Sequence, residues 1–217
     1  MGNPLLRRTR AKVHYYMQGL PLHQAFLRIL IDTVAKLGVR IEPFHLVREG
    51  LAARQRPSTM ALTDEDQVRF LVAEDMPALA AIPGRPPTIT DLQQRLRQGN
   101  HCLGILRQGT PFAFTWCDLS LCRFEDYPLF HLQANEAYLF DAFTVEAMRG
   151  SGLAPVMRQR MYEELAKLGK DTCYSTTVLF NVPAARFKAK LGARVIELHL
   201  LVEICKRWRW HRVLRQY

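Results

Sequence analysis

No run of about twenty uninterrupted apolar residues, the length a membrane-spanning helix needs, occurs in this 217-residue chain. The best candidate, Ala25 to Leu37, is broken by Arg28, Asp32 and Lys36. The N-terminus has basic residues but no apolar segment followed by small residues, so no signal peptide is expected. Five cysteines are an odd number and none are in a CxxC spacing, which argues against both a disulfide framework and a zinc site. Reduced, mostly buried thiols in the cytoplasm are the expectation. Internal repeats and low-complexity tracts are missing too, and no Gly-Lys-Ser/Thr marks a Walker loop. What is present is ordinary for a globular protein: 48% hydrophobic and 23% charged residues. That excludes a fibrous, collagen-like or wholly disordered chain. The length suits one domain, or one domain with an appendage.

The net charge of +10 sits at the two ends. Residues 1–60 hold ten Lys/Arg against three Asp/Glu, and residues 205–217 hold five against none. The stretch between them sums to −2. A near-neutral body with basic ends suggests a catalytic or binding core plus surfaces drawn to something anionic. A solvated basic face that only aids solubility is the alternative.

Hydrophobic spacing predicts a helix from Pro21 to Leu37, ended by Gly38, then an extended piece from Val39 to Val47. The polar stretch from Arg54 to Ser58 is the best linker candidate. Beyond it, strands and helices alternate. A strand is expected at 67–73, a short helix at 75–81, a loop at 83–87 and a helix capped by Thr90 and running to Arg97. A hairpin follows over 102–106 and 112–117. The long loop 118–135 is of a length that often serves function. Then come a strand at 137–144, a helix from Pro155 to Leu168 and a strand at 172–179. A helix from Pro183 to Leu191, capped by Asn181, and an alternating strand over 195–204 complete the pattern. The body is read as α+β with a mixed sheet.

The sharpest feature is the turn Arg149-Gly150-Ser151-Gly152-Leu153-Ala154 between a strand and a helix. Two glycines let the backbone approach a ligand closely. The helix N-terminus beyond them offers free N–H groups and the positive dipole end, and Arg149 adds charge. An anion cradle suited to a pyrophosphate results, although any tight strand-to-helix turn uses glycines as well. The spacing is not that of a dinucleotide-binding loop, because Pro155 follows Ala154 with no third glycine in place.

A second element stands in register with the first: Asn181, Ala184, Leu191 and Gly192 along the next helix. Together they resemble the GNAT superfamily of acyl-CoA-dependent N-acetyltransferases. Its pyrophosphate loop is fitted by Arg149, Gly152 and Ala154, and its following helix by the asparagine, alanine and Leu-Gly positions. Asp141, eight residues before Arg149, also fits. The resemblance covers about residues 61–204 and is densest over 137–193. It implies a mixed, mostly antiparallel sheet flanked by helices. The chain would then divide into a basic, helical N-terminal extension, 1–56, and an acyltransferase domain, 57–217, with a basic C-terminal tail.

The resemblance further implies acetyl-CoA, or another acyl-CoA, as co-substrate and no metal. Backbone groups of Phe143, Thr144 and Val145 would pair with the pantetheine amides. Gly150, Ser151, Gly152, Leu153 and Ala154 would hold the pyrophosphate, beside Arg149. Asn181 would reach the pantetheine arm in addition to capping its helix. Many members carry a tyrosine seven residues after that asparagine, as the acid for the leaving thiolate. Here Lys188 stands there, either stabilising the thiolate by charge or simply solvated. Tyr174 and Tyr162 are substitute acids by sequence proximity alone. Asp141 is the candidate base. His199 is read as a surface histidine.

Transfer of an acetyl group to a small-molecule or protein amine is therefore the leading reading. A long-chain acyltransferase fed by an acidic acyl-carrier protein is the second, with the basic ends as its dock. A degenerate GNAT module at an anionic membrane surface is the third. The interleaved cations and tryptophans of Lys206 to Arg212 suit a membrane interface. They would also suit stacking on single-stranded nucleic acid, which ranks last, and packing of the tail on its own domain is the plain alternative.

Overall fold

The computed structural model describes residues 21–50, 62–82 and 88–217. The basic run from Arg7 to Lys12, the linker at 54–58, the division at 56/57 and the loop at 83–87 lie outside the described residues.

In chain order the elements are α1 (Leu22–Ala35), β1 (Val39–Gly50), β2 (Asp66–Leu71), α2 (Met76–Ala80) and α3 (Ile89–Arg97). Next come β3 (His101–Arg107), β4 (Thr110–Asp118), β5 (Leu121–Phe124), β6 (Tyr127–His131) and β7 (Glu136–Thr144). The last five are α4 (Leu153–Lys167), β8 (Thr172–Val178), α5 (Val182–Lys190), β9 (Arg194–Ile204) and β10 (Trp208–Gln216). The class is α+β, with strands that are mostly antiparallel and helices flanking them. Residues 49–175 form one compact unit; the described residues up to Arg48 and residues 176–217 form another.

In the unit of residues 49–175 the strand order is β8-β7-β4-β3-β2. Only the β7–β8 pair is parallel. Alternation along β3 and β4 sends side chains to two separate cores. Cys102, Leu106, Phe114 and Trp116 meet Met76 and Leu79 of α2 and Leu92 of α3. On the opposite parity, Leu103 and Cys117 meet Met161, Tyr162 and Leu165 of α4, and Ile105 and Ala113 meet Leu153 and Met157. The β3–β4 hairpin turns through Gln108 and Gly109 at φ 50° and 77°, the left-handed pair that a two-residue turn of right-twisted strands demands.

Several boundaries differ from the sequence reading. The α3 cap is Thr88, not Thr90: Thr88 accepts from Asp91 N at 3.2 Å, and the Asp91 carboxylate accepts from Thr88 N at 2.9 Å. That reciprocal box places Thr90 inside the first turn. β2 stops at Leu71 because the Asp75 carboxylate accepts from Val72 N at 2.8 Å and from Arg69 at 2.7 Å, opening a 3₁₀ turn over Ala73–Asp75. Most of the expected loop 118–135 is a two-stranded sheet of β5 and β6. Its strands are short, and Pro128 masks the pattern, but Cys122 and Phe124 are buried at alternate positions.

In the other unit β10, β9 and β1 lie in that order, all antiparallel. Residues 208–216, expected as a tail, form a full edge strand, which reverses from β9 through Cys205 and Lys206 at φ 49° and 57°. His199, expected at the surface, is buried, because it stacks on Phe44 at 4.9 Å across the β1–β9 pair. The apolar stripe expected to seat α1 is different too. Ile31 is buried, whereas Phe26, Ile29 and Leu30 are exposed. Cys102, Cys117, Cys122 and Cys173 are buried and Cys205 is exposed.

Candidate functional site

The candidate site begins where β7 ends. Four residue pairs, Glu136/Thr172 to Leu139/Ser175, make the parallel ladder with β8. The ladder stops there, although β7 continues to Thr144. Past Thr144 the Val145 N–H donates to Phe112 O at 2.9 Å, a short 3₁₀ turn spans Glu146–Met148, and α4 begins at Leu153. The helix thus starts two residues before the expected Pro155, which sits in its first turn.

Gly150 and Gly152 both lie in the left-handed region, at φ 81° and 85°. Any other residue there costs about 1–2 kcal/mol. Gly152 is the N-cap residue of α4, which has no side-chain cap and no acidic residue in its first turn. The first N–H groups of a helix have no intrahelical acceptor, and its dipole makes that end positive. A Cβ on Gly150 would meet nothing within 4 Å, so the outer side of the turn is open. Ser151 folds inward, its hydroxyl donating to Met148 O at 2.6 Å. These features fit a pyrophosphate.

Arg149 does not extend outward. Its Nε donates to Thr144 O at 3.3 Å and its guanidinium lies 5.7 Å from the Phe143 ring, so it braces the end of β7. Of Phe143, Thr144 and Val145, the last has its N–H committed to β4. By the alternation of an antiparallel ladder, Thr144 is the one of the three whose backbone points away from β4.

What fixes α4 in place was not foreseen. Glu49 is 1% exposed. One of its oxygens accepts from Tyr162 Oη, the other from Ser175 Oγ, and Arg158 Nε lies 3.6 Å away. Arg158 and Tyr162 are four apart on α4, hence on one face. Burial and the Glu49 charge push the Tyr162 hydroxyl far above its ordinary pKa, so it stays a donor rather than an acid. The signal was available: Glu49 shares the alternation of the buried Val47 in β1.

The remaining candidates are divided between the two units. Asp141 pairs with Arg95 of α3 at 2.5 Å, and Arg95 in turn lies over Trp116 and Phe140 at 5.3 and 5.6 Å. Tyr174 stands opposite Tyr138, and its hydroxyl donates to Glu136 at 2.9 Å, at the start of β7 rather than its end. In the other unit, Asn181 caps α5 by accepting from Ala184 N at 3.1 Å. Lys188 is buried, not solvated, and donates to Thr176 O at 2.8 Å and to the Thr177 hydroxyl. Its stem crosses from α5 to β8, and burial of the ammonium is offset by those acceptors.

No protein-family model and no curated protein sequence matches the chain. Solved structures do. The chain is similar to a Drosophila protein (16% identity, TM-score 0.56, over 84% of this chain and 58% of that one). It is similar to a tandem GNAT protein from the clavulanic acid biosynthesis pathway (12%, TM-score 0.55, 86% and 58%). A GNAT-family acetyltransferase from Colwellia psychrerythraea is a third (17%, TM-score 0.53, 75% and 55%). The chain spans little more than half the length of each. At such identities the likeness is one of fold.

Proposed function

Because the chain has the fold of the GNAT acetyltransferases, we propose that it transfers an acyl group, acetyl in the first instance, from acyl-CoA to an amine. The observation that carries this reading is the turn at Gly150 and Gly152, leading into an α4 N-terminus with neither cap nor acid. There the backbone N–H groups of Gly150 to Ala154 hold the pyrophosphate, and Thr144 meets the pantetheine arm.

The amine nitrogen attacks the thioester carbon directly, the C–N bond forms and the C–S bond breaks. The thiolate leaves without a dedicated acid. With a thiol pKa near 8.5, the missing proton at pH 7 is worth only about 2 kcal/mol. Asp141 remains the partner of Arg95, and the proton of the amine passes to water. Arg149 keeps the strand end in place for the donor.

Calorimetric titration of acetyl-CoA tests the reading. Ser151→Glu puts a carboxylate on the exposed turn without altering a left-handed glycine; Gly152→Trp blocks it outright. Binding to wild type that falls at least about tenfold in Ser151→Glu, with its thermal unfolding unchanged, supports the cradle. Failure of every acyl-CoA to bind overturns it. Tighter binding of palmitoyl-CoA, below its micelle threshold, redirects the donor to long chains and a carrier protein.

A further inference from the structure

The β9–β10 hairpin separates its side chains into two unlike faces. The pairs Trp208/Ile204, Trp210/Val202 and Arg212/Leu200 share one face, because directly opposed residues point the same way. By alternation Ile196 and Leu198 join them, so from Ile196 to Ile204 the five β9 residues on this face are aliphatic. Val39 and Ile41 of β1 extend it, opposite Ile204 and Val202. Trp208 is 77% exposed, Trp210 51% and Ile204 45%. Lys206 and Arg207 in the turn, and Arg212 and Arg215 along the strand, are exposed around them. Both acidic residues of β9 lie on the other face: Glu203 pairs with Arg209 at 2.7 Å, and Glu197 bonds to His199 at 2.9 Å.

We infer that this face is a docking surface for a lipid bilayer with anionic headgroups. The chemistry of the face selects that occupant. Exposed tryptophans beside aliphatic side chains settle at the boundary between headgroups and acyl chains, and a rim of exposed cations matches an anionic leaflet. A second copy of the chain fits poorly, since a two-fold contact through this face would bring two sets of like charges, Arg207, Arg212 and Arg215 of each copy, into one interface. Single-stranded nucleic acid would use the two indoles but leave the row of aliphatic side chains without a partner. Protection of the edge strand from pairing calls for charge, not for two exposed tryptophans. The inference is independent of the transferase reading, for it uses no residue of the turn at Gly150 to Ala154.

The test is flotation of the full chain with vesicles of phosphatidylcholine alone and with 30% phosphatidylglycerol, read together with tryptophan emission (the vesicle composition sets roughly the charge of a cytoplasmic leaflet). Wild type is expected on the anionic vesicles and not the neutral ones, with a blue-shifted emission. Arg207→Glu/Arg212→Glu should weaken partitioning by roughly 25-fold or more. Trp208→Ser/Trp210→Ser should weaken it at least about tenfold and remove the blue shift. Thermal unfolding of each variant confirms that it folds. No partitioning of wild type, or equal partitioning of the folded variants, overturns the inference. So does a concentration-dependent dimer abolished by the tryptophan pair, which would assign the face to a second copy. Binding of a single-stranded oligonucleotide in place of vesicles would reassign it likewise.

Discussion

Asp141 accepts from the Arg95 guanidinium at 2.5 Å, and it does so from a backbone turned to φ 49°. The β4–β7 register shifts at this place, between Phe114 and Trp116, so the strand bulges where the pair forms. Asparagine tolerates the left-handed region and keeps the shape while losing the charge; alanine loses both. Asp141→Asn should cost up to about 1 kcal/mol, as for a partly exposed ion pair, and Asp141→Ala about 1–2 kcal/mol more. Urea unfolding of the two variants gives the order.

Glu49 gathers buried polar contacts of α4, from Tyr162 and Arg158, and its substitutions should be severe. Tyr162→Phe removes one donor from a buried carboxylate, for a loss of about 1–3 kcal/mol. Glu49→Ala leaves Arg158 in the interior without its carboxylate and should cost about 3–5 kcal/mol. Hydrogen exchange along α4, compared with exchange in β3, tells whether the helix is the part released.

Three histidines give the unit of β1, β9 and β10 a pH dependence. Burial pushes His45, His199 and His211 below the ordinary histidine value; the charge of His199 adds to this for the other two, and Glu197 opposes it for His199 and His211. Below about pH 6.5 the unfolded chain therefore binds protons that the folded chain refuses, and stability falls as the pH falls. Unfolding midpoints at pH 7.5 and 5.0 should differ in that direction, and the difference should shrink in His211→Gln. A midpoint that rises on acidification would contradict the assignment.

Burial pushes the thiols of Cys117, Cys122 and Cys173 up to about 12, while Cys205 is exposed. An aromatic disulfide reagent at pH 8 should thus titrate a single thiol in the native protein and all five in denaturant. Cys205→Ser should abolish the fast phase. A second fast thiol would mean that one of the buried strands opens readily.

The order of elements from β3 to β9, apart from β5 and β6, was legible because each carries its own punctuation. Gly169 and Gly192 end helices at φ 74° and 72°, and Asn181 caps one. The turn at Gly150 and Gly152 was legible for the same reason, since its requirement is local. What stayed hidden depends on partners far along the chain. Lys188 reads as a solvated helix lysine until Thr176 and Thr177 are seen to accept from it. His199 alternates with glutamates and looks external until Phe44, which lies on β1, stacks on it. Arg95 gives no hint of Asp141, 46 residues away. The C-terminal strand was obscured by Arg209, Arg212 and Arg215, which mimic a solvated tail in composition.

The pairing of Val39 with Ile204 has a consequence for synthesis. On a ribosome adding ~5–20 residues per second, β1 waits about 10–30 s for the strand that completes it. Residues 49–175, an uninterrupted stretch, emerge and can fold during that interval. The nascent chain therefore has a built-in order of assembly. Its vulnerable stage is β1 with the edge that pairs with β9 left open until residues 194–204 leave the exit tunnel.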